Sequence, residues 1–285
     1  MVWGDKRWYI VRPVSFWNGS CSLREMRASF KFFLVVAVLA ACAGGHAQQA
    51  PPDSDLASIT ARGRFLAEYE RSAWYATDVV LKFRPNQDVM MKFIARKTDT
   101  GWLVAFGNLD EANGAFVISF EGVQDPASGK FSAKAFEPPL RDTGFFLAAA
   151  RGIELARQNA ALQKGRPYST FVLPLDSGEF YVYVLPTQTV FDLYPLGGDE
   201  RLLISADGLK VLAREPLHRT IHDINLEAVS TSDAIAGIHS HAAADEPEDT
   251  DVFFVVRQKN PAPEFVGTKS GTYEIKPDGS IVRMK

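Results

Sequence analysis

Cysteine is almost missing: Cys21 and Cys42 are the two in 285 residues, and both precede the region patterned like a folded domain. No disulfide can staple that region, so a hydrophobic core has to hold it. Basic excess is missing as well. There are 31 Lys and Arg against 34 Asp and Glu, a net charge of -3, with no Lys/Arg block, which removes the electrostatic footprint of a nucleic-acid binder. No apolar run approaches the roughly 20 residues of a membrane-spanning helix. Nothing recurs at a fixed period, which argues against a solenoid or propeller.

What is present begins with an address. From Met26, Arg27 and Lys31 lead into ten apolar residues, Phe32 to Ala41, the charged and apolar parts of a signal peptide. Export to the periplasm, to the outer membrane or out of the cell is expected. Two processing outcomes stay open. Leu39-Ala40-Ala41-Cys42 resembles a bacterial lipobox, which would end the leader at 41 and make Cys42 the acylated first residue, the sole link to a membrane. Gly45-His46-Ala47 offers small residues to an ordinary signal peptidase and would start the mature chain at Gln48. Residues 1–25 read as an overlong start or a disordered extension, 26–47 as the leader and 48–55 as a polar tether.

Residues 56–285 are expected to form a single α+β domain, mostly antiparallel sheet with two main helices packed on it. Leu56, Ile59, Gly63, Leu66, Tyr69 and Ala73 recur at three and four in the first helix, with Asp55 as its cap. Trp74 and Asp78 lie four apart on it and read as a core Trp with a capping or salt-bridged Asp. "GWLVAFGNL" and "GAFVISFEGV" alternate as a hairpin. "AFEPPLRD" is the best interior punctuation, so a subdivision near 140 is the alternative. Asp142 or Thr143 caps a second helix that stops at Gly165. Short strands fill the rest, with Asp207-Gly208 and Asp278-Gly279 as turns. "DVFFVVRQ" is read as a buried strand. The tyrosines of "FYVYVLP" are expected to be half-buried.

Chemistry rests on histidine. His218, His222, His239 and His241 fall within 24 residues, and the fifth, His46, lies in the leader. His218 and His222 would share a face if their stretch were helical, whereas His239 and His241 share a face if theirs is extended. Neutral imidazole is the commonest protein ligand of zinc, and a carboxylate can complete the shell. Neighbours in a strand point to opposite faces, so no Ser-His pair is expected of Ser240. Gly197-Gly198 has neither a following helix pattern nor a Lys-Ser/Thr, and reads as a turn.

"GIHSH" with Asp251 downstream resembles, over about 15 residues, the motif of the JAMM/MPN zinc isopeptidases. The resemblance implies zinc on His239, His241 and Asp251, an activated water, and Glu215 or Glu227 as general base. Ala242 stands where the family has Pro and Glu248 where it has Ser, and Asp251 comes one residue early. The wider run of elements, from "ERSAWYATD" to "PEDTDVFFVVRQ", resembles a family of exported bacterial proteins with no assigned chemistry.

Two functions follow. In the first, "AAADEPEDTD", with its Pro and five acids, is a solvated loop. The protein is then a non-enzymatic module without a cofactor, binding an envelope protein or a cell-wall component. The alternative is a zinc-dependent amide hydrolase. A third possibility lies between them: the loop chelates metal without catalysis, and His218 or His222 closes the shell as a fourth ligand.

Overall fold

The computed structural model describes residues 53–85, 92–190, 193–225, 236–241 and 244–285. The extension, the leader with Cys42, and the tether up to residue 52 lie outside the described residues, as does Glu227.

Helix α1 (Asp53–Val80) begins inside the expected tether. Its buried stripe, Ile59, Leu66, Tyr69, Ala73, Ala76 and Val80, keeps the three-and-four spacing of one helical face. Trp74 is not core: one residue past Ala73 it turns about 100° off the stripe and is 63% exposed. The stripe lies on a four-stranded antiparallel meander, β1 (Lys92–Thr98), β2 (Gly101–Asp110), β3 (Ala115–Gln124) and β4 (Phe131–Asp142). Tyr69 ties helix to sheet, its buried hydroxyl accepting the Ala95 N–H at 3.0 Å. A Cβ at Gly122 would fall 2.5 Å from the Ala76 Cβ, so glycine sets how closely β3 approaches α1. The stretch around 140 is the end of β4, paired with β3 as far as Phe116↔Asp142. Its prolines are tolerated because β4 is an edge strand with shifted register beside them.

Asp142 starts helix α2 (Phe145–Asn159), its Oδ1 accepting the N–H groups of Gly144, Phe146 and Leu147 at 3.1, 2.9 and 3.2 Å. The helix ends six residues before the Gly165 expected to stop it. It covers a second antiparallel sheet, ordered β5 (Tyr168–Pro174), β6 (Phe180–Pro186), β8 (Glu200–Ile204) and β9 (Val211–Pro216). The large core joins this sheet, the meander and both helices. At roughly 1.5–3 kcal/mol per fully buried Leu, Ile or Phe, such a core needs no disulfide.

Strands β7 (Leu193–Gly197) and β10 (Ile221–Asn225), which carry no clear sequence signal, pair antiparallel. The last sheet is ordered β11 (Gly237–Ser240), β12 (Glu264–Thr268), β13 (Gly271–Ile275) and β14 (Ile281–Arg283), with β11 parallel to β12. A parallel pair needs a crossover, and "DTDVFFVV" supplies it as helix α3 (Asp249–Val256), correcting the strand expectation. Phe253 joins the large core, 5.6 Å from Phe171 ring to ring, while Val252, Phe254 and Val255 build a smaller one with Ile59, Leu196, Val266 and Ile275. The fold is α+β, with three helices among the described residues.

Candidate metal centre

Three structural units meet at one point. Strand β11 carries His239 and, one residue past its end, His241, both on the face expected of an extended segment. Parallel pairing fixes them: His239 lies opposite Val266, and the His241 N–H donates to the Gly267 carbonyl at 2.7 Å. Helix α3 supplies Asp251 from its first turn, fully buried. The turn after β9 supplies His218, held where the N–H of Leu217 donates to the Asp199 carbonyl at 3.0 Å.

The ligand atoms of His218, His239, His241 and Asp251 all lie within 4.8 Å of one another. The Nε2 of His241 is 2.9 Å from that of His218 and 3.1 Å from that of His239. Asp251 Oδ1 is 3.0 Å from the Nε2 of both His218 and His239, and its Oδ2 is 3.3 Å from His241 Nε2. A tetrahedral ion with bonds of about 2.0–2.1 Å spaces its ligands about 3.3–3.4 Å apart. The distances from His241 to the other two rings and from Asp251 to the three rings, 2.9–3.3 Å, lie within about half an ångström of that spacing.

The far sides of two imidazoles are held as metal-bound histidines usually are. His218 Nδ1 donates to Asp199 Oδ1 and His239 Nδ1 to Glu264 Oε1, each at 2.7 Å. Both carboxyl groups are buried. A proton on each Nδ1 leaves the Nε2 lone pair facing the common point. Asp251 is aimed by the start of its helix: its Oδ2 accepts the Glu248 N–H at 2.8 Å, and the Glu248 side chain accepts the Asp251 N–H.

Electrostatics concentrate negative potential here. Burial opposes ionisation of Asp251, yet His218 and the hydrogen bonds from His218, His239 and His241 hold it well below the usual carboxylate range. Burial also pulls both flanking imidazoles down, but Asp199 and Asp251 drive His218 well above its ordinary value. Asp251 and Glu264 lift His239 to about 9. Burial, with Asp251, Asp249 and Glu215 nearby, pushes the Glu248 carboxyl up to about 8. Three carboxyl groups around three imidazoles form a cage suited to a cation.

His239, His241 and Asp251 therefore come together, and His218 joins them. His222 does not: the stretch is a turn and strand β10, and its exposed ring lies 3.3 Å from Thr220 Oγ1. Glu215 stands apart on β9, ion-paired with Arg201. Asp251 is no loop end: a helix begins two residues before it, at Asp249, after bend and coil at 244–248. That start had a sequence signal, since an acid three residues before another acid, ahead of an apolar run, is close to a capping box. Asp199 and Glu264 had none, because their role depends on strands brought together from elsewhere in the chain.

No family model, curated protein or solved structure matches this chain.

Proposed function

We propose that this protein is a non-enzymatic, exported metal-binding module that holds a divalent first-row transition metal, zinc foremost, on His218, His239, His241 and Asp251. The observation that carries this reading is the convergence of three Nε2 atoms and one carboxylate, with two of the imidazoles oriented by buried carboxyl groups. Three nitrogens and an oxygen without a thiolate suit zinc in tetrahedral geometry. Four protein ligands close the shell, and closed shells belong to structural and storage sites. The leader-like segment from Met26 supports export. An envelope protein or cell-wall component is the partner this reading favours, with the metal tying β11, α3 and the turn after β9 into one face.

Amide hydrolysis by a zinc ion on His239, His241 and Asp251 is the second reading. It draws on a cleft of about 520 Å³ at the start of α3, lined in part by Glu215 and Glu248 and not by the four ligand residues themselves. A catalytic ion would polarise an amide carbonyl and activate a water, which requires an open coordination position and hence a His218 that does not bind.

The test is metal content. Purified protein dialysed against trace zinc should carry close to one zinc per chain, and a His239→Ala/His241→Ala variant almost none. Parent protein that stays metal-free sinks both readings. One exchangeable water on the bound metal, seen by X-ray absorption, would favour the hydrolase.

A further inference from the structure

Two residues before the proposed ligand Asp251 lies a buried acid that touches none of the ligands. Asp249, the first residue of α3, is wholly buried and receives donors from three other elements. Arg62 on α1 donates to its Oδ1 through Nε at 2.9 Å and a terminal nitrogen at 2.8 Å. Tyr183 on β6 donates to its Oδ2 at 2.7 Å, and Arg201 on β8 donates to the same oxygen. The next residue of α1, Gly63, lies under the same turn: a Cβ there would sit 2.5 Å from both the Asp249 carbonyl oxygen and the Val252 Cβ. Glycine lets α3 approach, and the neighbouring arginine clamps it. This differs from the capping contacts of Glu248, which orient the Asp251 carboxylate but do not attach the turn to the rest of the fold.

We infer that Asp249, gripped by Arg62, Arg201 and Tyr183 over Gly63, is a positioning residue that places Asp251 for the metal. The inference rests on the metal reading above. Asp251 is the only one of the four ligands carried by a helix, so its place relative to the three histidines depends on how α3 is held against the other elements. A first turn free to shift by a few tenths of an ångström would consume the margin that separates the present ligand spacing from that of a bound ion. Full burial also gives the clamp leverage, because a carboxylate held by two guanidinium groups and a phenol has no water to exchange into.

The probe is Co²⁺, whose visible bands report coordination geometry, followed by competition with Zn²⁺, all in the full-length protein. Tyr183→Phe removes one donor and leaves charge unchanged. Arg62→Gln leaves Asp249 paired with Arg201, so neither variant strands a buried charge. Tyr69→Phe, which breaks a buried bond to the Ala95 N–H, controls for general loosening. The expected result is metal affinity weakened about tenfold or more in Tyr183→Phe and Arg62→Gln. Their Co²⁺ bands should be altered, with both properties unchanged in Tyr69→Phe. Parental affinity and bands in the two clamp variants would overturn the inference while leaving the metal site standing. Equal weakening in all three variants would also overturn it, by showing loss of stability alone. A parent that binds neither ion would remove the metal reading, and the inference with it.

Discussion

The Nδ1 of His239 donates to Glu264 Oε1 at 2.7 Å across the parallel pair β11–β12, while the Nε2 of the same ring stands 3.0 Å from Asp251. One imidazole thus links a strand neighbour to a helix, with its tautomer set by the buried carboxyl behind it. If the common point holds a metal, Glu264→Gln should keep the fold and weaken zinc binding by about 10- to 100-fold. Competition against a chromogenic chelator measures this directly. Unchanged affinity would mean that Glu264 serves only strand packing.

The metal-free protein should lose stability as pH rises. The folded-state value of His239 lies near 9, above its unfolded value of about 6.5. Its contribution is therefore complete below about pH 6.5 and is lost as pH rises through about 9. His218 is raised in the same direction. The loss from His239 alone is on the order of 3 kcal/mol. Zinc competes with these protons, so its affinity should instead increase over the same range. Urea midpoints from pH 6 to 9.5, with chelator and with zinc, should therefore diverge. Parallel curves would contradict the proposed ligand set.

His218→Ala should open a coordination position that His222→Ala leaves closed. In the first variant, affinity should fall and azide should perturb the Co²⁺ spectrum. In the second, both should match the parent, because His222 is exposed on β10 away from the cluster. An azide response in the parent would shift the balance toward the hydrolase.

Asp142→Ala should cost about 1 kcal/mol of stability by removing the acceptor of three N–H groups at the start of α2. Metal affinity should not change, since α2 carries no ligand. Chemical denaturation together with zinc titration checks both, and a coupled loss of affinity would show that the start of α2 helps to hold the ligands in place.

The regular parts were legible because they are local. The stripe of α1, the β2–β3 hairpin and the Asp-Gly turns each depend on neighbours a few residues apart, where periodicity and backbone preference act. The failures share a cause. "VFFVV" is too short and too uniformly apolar for its period to separate strand from helix, and the parallel pairing of β11 with β12 makes it a helix. Tyr183, expected to be half-buried, is fully buried because its hydroxyl meets Asp249, 66 residues away.

The same division runs through the site. By sequence alone, alternation places His239 and His241 on one strand face, with a nearby acid available to them, because side-chain direction along a strand is a local property. Only tertiary structure decided that His218 rather than His222 joins them, that Asp251 reaches them from a buried helix start, and that Asp199 and Glu264 stand behind the rings. Those choices depend on how separate elements cross, and the buried contacts that fix the crossings, Gly63 under α3 and Arg62 on Asp249, join residues almost 190 positions apart.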